Sequence, residues 1–144
     1  MITVKQILDQ KGKECHSVTP KTTVKEALKK MADKNIGALL VLENNKPIGM
    51  FSERDFSRKS VTYGDAALNK LVADFMSTTV YVIGQEKSIQ ECMALMTEQH
   101  FRHLPVVDSN NIIGIVSIGD IVNGVINEQS ITIKNLENYI YGNS

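Results

Sequence analysis

Two short stretches of this 144-residue chain combine residue types able to do chemistry. Ser52 and Asp55 bracket Glu53 and Arg54; Ser117 and Asp120 bracket Ile118 and Gly119. A carboxylate accepts hydrogen bonds from both hydroxyls of a cis-diol, and a serine hydroxyl both donates and accepts. At the start of a helix such a pair stands beside free backbone N–H groups and the positive end of the helix dipole, which suits a phosphate. Arg54 and Arg102 offer cations for the same purpose. The bland reading is local: Ser-x-x-Asp ahead of a helix is a variant of the capping box, satisfying only its own backbone. On the residues alone both readings stand.

Other reactive types offer less. His100 and His103 are three apart, but the break between a helix and a strand falls between them, so a metal site is not expected. Cys15 and Cys92 are far apart and no CxxC occurs, which removes support for a disulfide framework or a zinc site. Cys92 and the methionines Met31, Met93 and Met96 read as core filler on helices. No GxSxG, HExxH or Walker-type sequence is present, so no catalytic residues are assigned and the chain is not expected to be an enzyme.

The elements that must position these residues occur twice. At one constant interval Val24 meets Ile89, Leu28 meets Met93, Val41 meets Val106, Gly49 meets Gly114, Ser52 meets Ser117 and Asp55 meets Asp120. Such a register, kept without a gap, argues duplication. Val24, Ala27, Leu28 and Met31 form the apolar stripe of an amphipathic helix, as do Ile89, Cys92, Met93 and Met96. Thr23 and Ser88 stand where N-caps belong. Each stripe is followed by two apolar runs joined by polar turn residues: Ala38–Leu42 and Pro47–Phe51 around Glu43–Lys46, then Leu104–Val107 and Ile112–Val116 around Asp108–Asn111. A further helix is expected from about Ser52 and Ser117, and an earlier strand at His16–Thr19 and Thr79–Ile83. The expected class is α+β, with two β-α-β-β-α repeats at 1–65 and 66–128 and a helical tail at 129–144. A repeat of this size is marginal alone, so the two are expected to pack sheet to sheet about a pseudo-twofold axis, with a cleft between them. In the tail, Ile133, Leu136 and Ile140 recur at helical spacing, fit to cap the monomer or to pack on a second chain.

Composition narrows the function classes. Sixteen basic residues balance sixteen acidic ones, where a nucleic-acid coat would carry a basic excess. No apolar run approaches the ~20 residues of a membrane span, and the first residues lack a secretory pattern. The expected setting is cytoplasmic, without a membrane and without nucleic acid.

The segments Gly49–Asp55 and Gly114–Asp120 resemble the signature of the cystathionine-beta-synthase (CBS) domain: glycine, two mostly apolar residues, Ser or Thr, two variable residues, then Asp. His103–Asp108 is also similar to that family's second-strand pattern, whereas the first copy departs from it with Leu40 at the proline position. The resemblance runs from Val4 to about Val125 and looks like the stand-alone bacterial tandem pairs. It implies a regulatory module that binds an adenine nucleotide, AMP first, with ATP, ADP, NAD(H) and S-adenosylmethionine admissible, and no catalytic cofactor. One implied site joins Ser117 and Asp120 to Ile36, Gly37 and Ala38, with His16 nearby. The other joins Ser52, Arg54 and Asp55 to Phe101, Arg102 and His103, with Tyr81 nearby. Because both arginines fall in the second, phosphate is expected to be held more strongly there. The resemblance further implies a homodimer and a regulated protein partner. The competing expectations are a ligand-independent scaffold or inhibitor subunit and, with less support, a nucleotide-hydrolysing enzyme.

Overall fold

The computed structural model describes residues 1–141, so part of the expected tail, 142–144, lies outside the described residues. The fold is α+β. In chain order the elements are α1 (Val4–Lys11), β1 (Ser17–Val18), α2 (Val24–Lys34), β2 (Ala38–Glu43), β3 (Lys46–Ser52) and α3 (Glu53–Tyr63), then two 3₁₀ turns (Gly64–Asn69 and Val72–Asp74). There follow β4 (Ile83–Gly84), α4 (Ile89–Gln99), β5 (His103–Asp108), β6 (Asn111–Ser117) and α5 (Ile118–Tyr141). The β-α-β-β-α order is present twice. The leading strands are shorter than expected: His16 precedes β1, and Thr79–Val82 precede β4.

Local chemistry accounts for the elements. Thr23 with Glu26, and Ser88 with Glu91, form reciprocal capping boxes at the starts of α2 and α4. Asn35 and His100 end these helices in left-handed backbone, φ 54° and 60°. The His100 position is therefore that of a helix terminator. The hairpin turns hold Asn44–Asn45 and Ser109–Asn110 at positive φ, as tight two-residue turns require. Each three-stranded sheet pairs its short first strand in parallel with the middle one and closes with an antiparallel hairpin.

The chain divides into two compact units, and they are not the two sequence copies. One is Cys15–Tyr81; the other combines Met1–Glu14 with Val82–Ser144. The segment leading into each copy is exchanged. In the first unit, Val72 N–H donates to Thr22 C=O at 2.8 Å, Ala73 N–H to Pro20 C=O at 3.1 Å and Val24 N–H to Lys70 C=O at 2.8 Å. In the second, Val4 N–H donates to Lys87 C=O at 2.8 Å, Lys5 N–H to Gln85 C=O at 2.9 Å and Ile89 N–H to Ile2 C=O at 3.0 Å.

Packing explains the exchange. The Cys15–Tyr81 core consists of Val18, Val24, Ala27, Met31, Leu39, Val41 and Phe51, completed by Ala67, Val72 and Phe75 from the connecting segment. The Phe75 ring meets Phe51 edge-on at 6.2 Å and stacks on Phe56 at 6.0 Å. In the other unit α1 buries Val4, Ile7 and Leu8, alongside buried Ile89, Cys92, Met96, Leu104, Val106, Val116 and Ile121. Cys92 is core as expected, and burial pushes its thiol up to about 11, which leaves it unreactive. Met93 departs from expectation. It is partly exposed, whereas Met31 and Met96 are buried.

The motif glycines have a packing role. A Cβ on Gly49 would lie 2.7 Å from Ser77 O, and one on Gly114 would lie 2.9 Å from Leu8 Cδ2. Each glycine clears the space in which the exchanged segment crosses its sheet. The helical tail is not a separate element, for α5 runs unbroken through residue 129 to Tyr141.

Candidate functional site

In each unit the residues singled out from the sequence gather at one edge of the sheet. Ala38 pairs with Ser52 across the β2–β3 hairpin, and Glu53 N–H donates to Gly37 C=O at 3.1 Å. Ile36 N–H closes the end of α2 on Met31 C=O at 3.0 Å. The C=O of His16 accepts from Leu40 N–H at 3.2 Å on the β1 side. Ile36, Gly37, Ala38, Ser52, Arg54 and Asp55 thus form one cluster. The second unit repeats the design: His103 pairs with Ser117, Ile118 N–H donates to Arg102 C=O at 2.8 Å, and Phe101 N–H donates to Met96 C=O at 3.0 Å. Phe101, Arg102, His103, Ser117 and Asp120 form the second cluster. Arg54 is half-buried and Arg102 exposed, and Tyr81 is the last residue of its unit.

Both Ser-x-x-Asp pairs are capping boxes. Ser52 N–H and Oγ–H donate to Asp55 Oδ2 at 2.9 and 3.0 Å, and Asp55 N–H donates to Ser52 Oγ at 3.2 Å. Ser117 N–H donates to Asp120 Oδ2 at 2.8 Å, and Asp120 N–H donates to Ser117 Oγ at 3.1 Å. In both, Oδ2 does the capping. Oδ1 of Asp55 and of Asp120 accepts no hydrogen bond from the described residues. The local reading is therefore correct as far as it goes, and it leaves one carboxylate oxygen of each box for a hydroxyl donor.

The boxes differ by one residue that sequence reasoning missed. Lys11, in the last turn of α1, places Nζ 2.6 Å from Asp120 Oδ2 and 2.9 Å from Ile115 O. Burial pushes the Asp120 carboxyl up, but hydrogen bonds from Lys11 and Ser117, with the charge of Lys11, together hold it below its ordinary value. The expectation that phosphate is held more strongly at the Asp55 box, because both arginines fall there, did not count this lysine. The available signal was the capping pair Thr3–Gln6, which opens α1 and whose side chains bond reciprocally to the backbone.

A half-open cavity of about 330 Å³ lies beside the first cluster, lined by Leu28, Met31, Ala32, Asn35, Ile36, Gly37 and Glu53. It touches the predicted residues only through Ile36 and Gly37 and holds neither Ser52 nor Asp55. Among the described residues no group of three or more His, Cys, Asp or Glu could hold a metal, and no helix is long and apolar enough to cross a membrane.

The model of the CBS domain matches the chain twice, over residues 2–61 and 72–127. The chain belongs to the CBS-domain family. The chain is similar to the mitochondrial CBS domain-containing protein CBSX3 of Arabidopsis thaliana, 33% identical over 97% of this chain and 72% of that protein. A solved protein with CBS domains from Burkholderia ambifaria is 43% identical, with a TM-score of 0.84 over 89% of this chain and 96% of that one. The CBS domain pair of protein MJ0100, solved with 5′-methylthioadenosine and S-adenosyl-L-methionine, has the same fold: TM-score 0.78 and 21% identity, over 89% of this chain and 98% of that one. The CBS signature glycine, serine and aspartate thus have separate structural duties here: Gly49 and Gly114 admit the exchanged segment, and each serine and aspartate cap a helix while leaving one carboxylate oxygen over.

Proposed function

We propose that this CBS pair is a ligand-sensing regulatory module, without catalytic activity of its own, that binds an adenine nucleotide. The observation that carries the reading is the repeated helix-capping carboxylate with an unused Oδ1, set beside main-chain groups at a sheet edge. That oxygen accepts from a ribose hydroxyl, while the following helix offers N–H groups to a phosphate. The residues proposed to bind it are Ser52, Arg54 and Asp55, Phe101, Arg102, His103 and Tyr81, Ser117 and Asp120, and His16, Ile36, Gly37 and Ala38. AMP is the first candidate, with NAD(H) and ATP next. The adenosine ligands of MJ0100 support the nucleoside class without singling out AMP. Because Arg54 and Arg102 both belong to it, the Asp55 site is the one expected to hold phosphate more strongly. Occupancy would shift the balance between two arrangements of a homodimer and be read by a protein partner, which requires different affinities for the two. Two unpaired cysteines accord with a reducing compartment such as the cytoplasm.

A second reading has its own observation. Both boxes are complete as helix caps, which is all that a ligand-independent scaffold or inhibitor subunit requires of them. Thermal melting of nucleotide-stripped protein against AMP, ADP, ATP, NAD⁺, NADH and S-adenosylmethionine separates the two. At a concentration of 100 times its dissociation constant a ligand stabilises the fold by about 2.7 kcal/mol. The nucleotide reading requires a shift with at least one ligand that shrinks in Asp55→Asn, a change that keeps an acceptor for the cap. No shift with any of them, in protein that is folded, favours the scaffold.

A further inference from the structure

α5 outlasts the family fold. The CBS match ends at residue 127, yet the helix continues to Tyr141. At 24 residues it is about 36 Å long. Its buried residues are Ile121 and Gly124. Beyond residue 128 every large apolar side chain is exposed: Ile131, Ile133 and Leu136 by 57 to 59%, Ile140 by 70%.

These side chains are not scattered. Ile126, Ile133 and Ile140 recur at heptad spacing, as do Val122, Gln129 and Leu136 between them. On a helical wheel this line stands roughly 100° from the buried Ile121 and roughly 160° from Gly124, so the unit does not cover it. Isoleucine holds the first heptad position throughout, a choice suited to two strands, and the fourth holds Val122, Gln129 and Leu136. Gln129, the polar member of the line, selects the parallel orientation. In a parallel pair it faces the partner's copy of itself, and two amides satisfy each other, whereas in an antiparallel pair it would face isoleucine.

We infer that α5 beyond the CBS fold is one strand of a parallel two-stranded coiled coil, and that its occupant is the same helix of a second copy of this chain. The area agrees: the exposed seam with Tyr139 beside it offers on the order of 600 Å² per chain, against roughly 800 Å² per partner in a standard interface. A membrane is a poor occupant, since the extension carries Glu128 and Glu137 against a single Lys134, where an interfacial helix is rich in cations. The inference adds an interface to the homodimer in the functional reading and does not depend on nucleotide binding.

The test is sedimentation equilibrium of the full chain and three variants. Wild type is expected to be a dimer. Ile133→Lys, on the seam, should weaken it by more than about 100-fold, since two buried isoleucines are lost. Ile131→Lys, on the opposite face, should leave it unchanged. Gln129→Leu should hold the dimer more tightly or admit larger assemblies. A dimer indifferent to Ile133→Lys would overturn the seam while sparing the homodimer, and equal sensitivity to Ile131→Lys would overturn the register. A wild-type trimer or tetramer would overturn the two-stranded form. A wild-type monomer would overturn both, and one that cosediments with phosphatidylglycerol vesicles would reassign the face to a membrane.

Discussion

The Ser52–Asp55 and Ser117–Asp120 corners are copies of one design held by different neighbours. Across both, the hairpin register, the glycine and the capping geometry repeat. What differs is the exchanged segment that lies on the glycine. Over Gly49 it is Met76 and Ser77 of the connecting stretch, which bring no charge to the box. Over Gly114 it is α1, whose Leu8 fills the gap and whose Lys11 reaches the carboxylate one turn later. Duplication therefore kept the frame, and divergence in the covering segment made the two carboxylates electrostatically unequal. The lesson is that the electrostatics of a repeated corner are set by the segment that covers it.

The sharpest way to break this comparison is to remove each covering segment's anchor. Phe75→Ala should cost about 3–5 kcal/mol and Leu8→Ala about 2–5 kcal/mol, both measured by urea denaturation. Hydrogen exchange locates the damage: Phe75→Ala should loosen Cys15–Tyr81 and Leu8→Ala the other unit. The exchange model fails if Leu8→Ala loosens α2 and β2 instead.

Next in size is the pair Asp55→Ala and Asp120→Ala. Loss of the cap costs each about 0.5–2 kcal/mol. Asp120→Ala should lose more, because it also strands Lys11. Equal losses would mean that the ion pair is energetically idle.

The smallest effect belongs to Lys11→Met. With both partners partly exposed, the pair is worth about 0–1 kcal/mol, which a double-mutant cycle with Asp120→Asn should recover. Its pH dependence has a definite sign. The folded-state pKa of Asp120 is lowered from 3.8, so the contribution is complete above that value and is lost as pH falls through the lowered one. The stability gap between wild type and Lys11→Met should close in that acidic range and stay constant near neutrality. A gap that persists in acid would assign the effect to packing of the lysine stem.

Much of this architecture was legible in the sequence because it is local. Apolar stripes placed α2 and α4, and polar turn clusters placed both hairpins. The Ser-x-x-Asp pairs could be read as caps and as hydroxyl acceptors at once, because Oδ2 makes the cap while Oδ1 accepts no hydrogen bond from the described residues. What escaped is non-local. Periodicity marks Val4, Ile7, Leu8, Val72 and Phe75 as apolar without saying which copy they will cover. Lys11 sits far from Asp120 in sequence, and no local pattern joins them. α1 itself was passed over because it precedes the first strand and is only eight residues long.

The exchange of leading segments also orders events during synthesis. Cys15–Tyr81 is one contiguous stretch and can close its core as soon as Phe75 is available. α1 emerges before that unit, yet the ledge at Gly114 on which Leu8 rests is made after it. At ~5–20 residues per second, Val4, Ile7 and Leu8 wait in water for on the order of ten seconds before β6 exists. The nascent chain thus carries the apolar face of α1 past a unit whose core can already close. A change in α1 would accordingly be felt at β6 and Asp120, which are made long after it.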